Sequence, residues 1–246
     1  MNDIRPYFGV FWGAREQSLG EFIDQSREFL VTLREIDPLF DTLYSLGDRA
    51  DTEMPVGSDL ANLASIALER GWDKKAPKHW FSNLDEEGRP TRESTVKVGW
   101  RLSLANEREA EKTKDFIAIS LASGQSSNRS NNSVLITLND PDSPLLDPAM
   151  AERLFQLLVD FWNPERGWVT EASYRDAVWD DATREQLGWL NYRADPSIAN
   201  QLPASVSSEA HGAGIIFRIG DGRALTEDAQ AEVAIGNEIQ AALHPA

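Results

Sequence analysis

The chain has 246 residues and no cysteine. Disulfides, thiolate metal sites and cysteine nucleophiles are excluded, and the composition fits a reducing compartment. Histidine is scarce: His79, His211 and His244 are the only imidazoles, and none has the i, i+4 spacing of a helical zinc motif. Positive charge is short as well, with 24 Lys plus Arg against 40 Asp plus Glu, a net charge of −16, and no lysine after Lys114. A surface that holds nucleic acid needs a basic patch to displace counterions, so no nucleic-acid partner is expected. No run approaches the roughly 18 to 20 apolar residues of a membrane helix, so no membrane partner is expected either. Met1 to Pro6 lacks the basic and apolar stretches of a secretory signal, which makes the cytoplasm the expected location.

Enzyme signatures are missing in the same way. The clusters His211-Gly212-Ala213-Gly214 and Gly220-Asp221-Gly222 lack the lysine and hydroxyl of a phosphate-cradling loop, and they read as turns. His211 reads as a surface histidine in a turn ahead of a loop base. No serine stands in a glycine-flanked nucleophile elbow. Asp73-Lys74-Lys75 holds the acid-x-lysine fragment of some metal nucleases, but in a loop instead of a strand. Asn139-Asp140-Pro141-Asp142 offers two carboxylates without the remaining ligands of a calcium loop, so a turn is the better reading. No catalytic residue, metal or cofactor is expected.

What is present is an ordinary globular composition, 41% hydrophobic and 26% charged. Tyr7 to Trp12 reads as a strand. Ser18 and Glu21 form a capping box ahead of a helix with Phe22, Phe29, Leu30, Leu33 and Ile36 on one face, ended by Asp37-Pro38. A second helix is expected from Ser58 or Asp59 to Gly71, with Leu60, Leu63, Ile66 and Ala67 on one side. Residues 72 to 94 read as a long surface loop. Val96, Val98, Trp100, Leu102 and Leu104 alternate with polar partners, and Ile117 to Leu121 and Val134 to Leu138 repeat that parity, so an antiparallel meander is expected. Its linker, Gly124 to Asn132, reads as an exposed, mobile loop.

Asp147-Pro148 opens a third helix to Trp162. Trp168 to Ser173, Trp189 to Arg193 and Ile215 to Ile219 read as strands, and Thr226 caps a last helix carrying Val233, Gly236, Ile239 and Leu243. Strands and helices without steady alternation predict an α+β fold, a largely antiparallel sheet with about four main helices packed against it. One domain over 1–246 is expected; a two-lobed alternative would hinge near 139–147. The four Gly-Trp dipeptides share no period, so there is no repeat.

One segment offers a surface for binding. Glu171, Asp176, Asp180, Asp181 and Glu185 outnumber Arg175 and Arg184 around Trp179. If helical, it places Asp176 and Asp180 on one face. An acidic face with an aromatic inside it suits a basic partner; a solvated helix that keeps the chain soluble is the plain alternative. From Asp115 onward there are 19 acidic residues and 8 basic ones, which is most of the net charge. Such a field speeds encounter with a cationic protein, at rates that fall with salt.

The stretch Tyr7-Phe8-Gly9-Val10-Phe11-Trp12-Gly13-Ala14-Arg15-Glu16-Gln17-Ser18, then Phe29-Leu30 and Leu33 to Phe40, resembles the start of the immunity protein 52 family of bacterial polymorphic toxin systems. Gly188-Trp189-Leu190-Asn191-Tyr192 and the helix from Glu227 to Leu243 are similar to its closing region. These parts make up about a third of the chain and are aromatic and structural in kind. The resemblance implies a cytoplasmic immunity protein that binds and neutralises a cognate toxin, often a restriction-endonuclease-like nuclease delivered by a secretion system such as type VI. It brings no catalytic residues. Trp12, Gly13, Arg15 and Asp37 are then structural residues of the shared opening. On this reading Glu171, Asp176, Trp179, Asp180, Asp181 and Glu185 bind the partner. The competing class is a metal-dependent hydrolase that uses clustered carboxylates. Monomer and homodimer suit the sequence equally.

Overall fold

The computed structural model describes residues 5–47, 52–69, 81–126, 132–179 and 185–243. They hold ten strands and five α-helices, and the registered strand pairs are antiparallel, so the fold is α+β. Contacts divide the chain into two compact units, residues 12–136 and residues 1–11 with 137–246.

In the first unit, α1 (Leu19–Arg34) starts at the capping box: Ser18 Oγ accepts the Glu21 amide at 3.3 Å, and the Glu21 carboxylate accepts the Ser18 amide at 2.8 Å. Phe22, Phe29, Leu30 and Leu33 are fully buried, as their spacing predicts. Asp37 accepts the Leu39 amide at 2.9 Å and starts a 3-10 turn at Pro38. After β2 (Tyr44–Ser45) and β3 (Met54–Pro55) comes α2 (Leu63–Glu69). It begins later than expected, because Leu60 adopts a left-handed φ of 57° and Asp59 closes a turn on the Ala61 amide. β4 (Val98–Ala105), β5 (Ile117–Gln125) and β6 (Asn132–Leu138) follow, and the strand order is β3-β2-β4-β5-β6. α1 packs on β5 and α2 on β4.

Two expectations in this unit need correction. The alternation of β4 fails at Val98, which is 46% exposed while Trp100, Leu102 and Leu104 are fully buried. Gly99 has φ +74°, and Gly124 in β5 has φ +88°; a Cβ on Gly99 would stand 2.8 Å from the Ser123 oxygen. The backbone swivels there, so parity resumes only at Trp100. The ends of the polar linker are also not loop. Gln125 and Asn132 are buried, the Gln125 amide donates to Asn132 Oδ1 at 2.9 Å, and Asn132 Nδ2 donates to the Gly13 oxygen at 2.6 Å. Partnered amides pass into a core that unpartnered ones could not enter. Residues 127–131 lie outside the described residues. In the expected surface loop, 72–80 are also outside, and 81–94 are tied by bridges Phe81 to Val96 and Leu84 to Pro90.

The second unit contains β1 (Tyr7–Trp12), α3 (Pro148–Trp162), β7 (Arg166–Thr170), α4 (Ala172–Ala177), β8 (Leu190–Arg193), β9 (Ser207–His211), β10 (Gly214–Arg218) and α5 (Gln230–Leu243). The strand order is β1-β7-β8-β10-β9. Asp147 caps α3 through the Ala149 amide at 3.1 Å, and Asn163 ends it with a left-handed φ of 44°. Leu154, Phe155, Leu158 and Trp162 are buried along one side. Gly188 sits so close to β7 that a Cβ would lie 1.9 Å from the Val169 oxygen. β9 has no apolar alternation to predict it; four of its five residues, Ser207 to Ala210, are exposed. The last helix starts at Gln230, four residues beyond the expected cap Thr226.

Candidate partner-binding site

The chain leaves β7 at Thr170 and enters α4, and Glu171 caps that helix. Its Oε2 accepts the amides of Ser173 at 3.1 Å and Tyr174 at 3.4 Å, and Ser173 Oγ donates to it as well. At 2% exposure, Glu171 is a buried capping group and presents no charge to a partner. Helix α4 stops at Ala177, so the helical face expected to join Asp176 to Asp180 does not extend that far. Asp176 is exposed and pairs with the neighbouring Arg175 at 2.7 Å. Trp179 is 37% exposed, the one large aromatic with that much surface among the described residues. Asp180 and Asp181 lie outside the described residues.

Glu185 is half-buried between two arginines. Its Oε2 lies 2.9 Å from Arg193 and its Oε1 3.2 Å from Arg166. Burial pulls the Arg193 guanidinium below its ordinary value, and the Glu185 charge opposes that shift. Glu185 is therefore the counter-ion of a buried cation. The six residues read as one acidic face thus divide: Asp176 and Trp179 are at the surface, Glu171 and Glu185 are engaged inside, and two lie outside the described residues.

What holds this region came from elsewhere in the chain. Gln240 of α5, 3% exposed, donates through Nε2 to the oxygens of Val178 at 3.2 Å and Glu185 at 2.9 Å. The buried Tyr174 hydroxyl donates to the Glu232 oxygen at 3.1 Å, and burial pushes its pKa up. Gly236 makes this approach feasible, since a Cβ there would lie 2.7 Å from Val178 Cγ1. On the other side, Tyr7 of β1 donates to Gln186 Oε1 at 3.1 Å and accepts from Trp168 Nε1 at 3.1 Å, while Phe11 stacks on Trp168 at 4.4 Å. Gln240, Arg193 and Arg166 had no signal in the sequence, because a buried amide and two arginines on strands have no motif of their own.

Other sequence candidates resolve simply. His211 pairs with Asp160 at 2.8 Å, while His79, His244 and Asp73-Lys74-Lys75 lie outside the described residues. Asp140 accepts the Asp142 amide at 2.9 Å, the hydrogen bond of the expected turn. Among the described residues no group of three or more His, Asp or Glu side chains is placed to hold a metal ion, and no helix is long and apolar enough to cross a membrane.

The fold itself has a solved counterpart. The chain is similar to the Pseudomonas aeruginosa T6SS protein PA0821. The likeness covers 98% of this chain and 73% of that chain, with a TM-score of 0.53 at 12% identity. At that identity it is a likeness of fold. No family model matches the chain, and no curated protein matches it in sequence.

Proposed function

We propose that the chain is an immunity-type protein of the type VI secretion setting, which binds a cognate toxin and neutralises it without chemistry of its own. The observation that carries this reading is the fold shared with a T6SS protein over 98% of the chain. The aromatic opening and closing stretches that resemble the immunity protein 52 family support it. The charge supports a basic partner: at −16, this chain attracts a protein whose surface must be positive to hold DNA, such as a restriction-endonuclease-like nuclease. On this reading Asp176 and Trp179, followed by Asp180 and Asp181, meet the toxin, and the compartment is that of the toxin's target, the cytoplasm.

The test is coexpression with the product of the neighbouring gene, which on this reading is the toxin. Cells expressing the toxin survive when this chain is present, and the two proteins copurify as a complex that weakens as salt rises. Absence of rescue overturns the reading. The metal-dependent hydrolase alternative makes the opposite prediction: the purified chain would bind a divalent ion and turn over substrate, whereas an immunity protein changes little on addition of chelator.

A further inference from the structure

The outer strand of the second unit's sheet is unguarded. β9 ends the order β1-β7-β8-β10-β9, so among the described residues no strand pairs with its outer side. The β9–β10 hairpin closes through Gly212 and Ala213, with His211 paired to Gly214. In a hairpin with a two-residue turn, that flanking pair is hydrogen-bonded, and bonding alternates along the ladder. The backbone groups of Ser207, Glu209 and His211 therefore turn towards β10. Those of Ser208 and Ala210 turn outward, a row of donors and acceptors that can template another strand.

Proteins commonly blunt such an edge with proline, lysine, a bulge or a projecting charge. β9 has no proline or lysine, and its five pairs with β10 run in unbroken register. Its two ionisable side chains are engaged by neighbours, Glu209 by Arg218 of β10 and His211 by Asp160 of α3. Arg218 holds Glu209 at 2.8 Å and also bonds Glu152, and His211 Nε2 lies 2.8 Å from Asp160. The opposite side of the strand carries only Ser208 and Ala210, small enough for close approach. By contrast, β3, which ends the strand order of the first unit, is two residues long and contains Pro55.

Charge selects the occupant. In the described ion pairs at β9, the carboxylates of Glu152 and Glu209 share the one guanidinium of Arg218, and Asp160 meets only the His211 imidazole, so carboxylates are in excess. A second copy of a chain with net charge −16 is repelled, and a strand bearing lysine or arginine is attracted. We propose that β9 is a docking edge that receives an extended, cationic segment of a partner protein by strand addition, bonded to the backbone of Ser208 and Ala210.

The experiment titrates the full chain with a blocked seven-residue peptide that alternates lysine and threonine, read by amide NMR and hydrogen exchange. A counterpart with glutamate in place of lysine serves as control. In the free chain the Ser208 and Ala210 amides exchange freely. With the lysine peptide they shift and become protected, and Ile216 in β10 does not change. Ala210→Lys leaves the outward donors in place but adds a like charge, and weakens the lysine peptide about tenfold or more. Ala210→Pro removes one donor and abolishes binding. Four results overturn the proposal: protection of both amides before any peptide is added, equal binding of the two peptides, shifts confined to other residues, or protection that grows with protein concentration alone, which would make a second copy the occupant. The readout does not involve a toxin, so it stands or falls apart from the neutralising role.

Discussion

Gln240 Nε2 donates to the main-chain oxygen of Glu185 at 2.9 Å, and the same amide reaches Val178 at 3.2 Å. One buried side chain on α5 thereby holds residues on both sides of the acidic stretch. Gln240→Leu removes the Nε2 donor from the buried Val178 oxygen and the part-buried Glu185 oxygen, and a loss of about 1–3 kcal/mol is expected. Urea unfolding monitors it. An unchanged midpoint would show that water replaces the amide at both oxygens.

Arg193 and Glu185 form a pair with side chains 7% and 17% exposed. Arg193→Ala takes from the Glu185 carboxylate its closer guanidinium and leaves the Arg166 pair, and a cost of about 3 kcal/mol is expected. Arg193→Met combined with Glu185→Leu recovers most of that loss, since it removes both charges from a nearly dry site. A double-mutant cycle in denaturant measures the coupling.

Tyr174 gives stability a dependence on alkaline pH. Burial, with the Glu232 charge second, raises its pKa above the ordinary 10.0, so the folded chain keeps a proton that the unfolded chain releases. The stabilisation is complete below about pH 10 and is lost above it, at about 1.4 kcal/mol per pH unit from this one group. Tyr174→Phe flattens that alkaline limb, although it costs about 1 kcal/mol at neutral pH through the lost bond to Glu232. Melting curves from pH 8 to 11, compared between the two proteins, decide the matter.

Two glycines predict opposite outcomes for one substitution. Gly188→Ala drives a Cβ to 1.9 Å from the Val169 oxygen, and a loss above about 4 kcal/mol or failure to fold is expected. Gly212→Ala meets nothing within 4 Å and bears only the strain of φ +57°, about 1 kcal/mol. Soluble yield and thermal midpoint separate them.

Replacing Asp176, Asp180 and Asp181 with lysine tests the proposed toxin surface. For the exposed Asp176 alone, stability should change by less than about 0.5 kcal/mol. The triple variant is expected to weaken the toxin complex and flatten its salt dependence, and Trp179→Ala to speed dissociation. Titration calorimetry at two salt concentrations reads both effects. Wild-type affinity in the triple variant would place the interface elsewhere.

Much of the scaffold was legible because its signals are local. Ser18 and Glu21, Asp37 before Pro38, and Asp147 before Pro148 each cap a helix with atoms from within four residues. The parity of Ile117, Ile119 and Leu121 survives folding for the same reason, since a strand with one buried face needs only its own alternation. The acidic segment proposed to meet the partner was harder to read. Glu171, Asp176 and Glu185 are alike in sequence, and only their neighbours in space distinguish a helix cap, a surface carboxylate and a counter-ion.

Composition and short-range pattern by themselves determined the absence of thiol chemistry, the negative field, the α+β class and the starts of α1 and α3, because charge adds up along a chain and capping is local. Tertiary packing alone decided that Gln125 and Asn132 are buried, that Glu185 neutralises Arg193, and that Ser207 to His211 form a strand. Each of these depends on a donor, a cation or a ladder supplied by residues distant in sequence, or, for β9, on pairing that no apolar alternation announces.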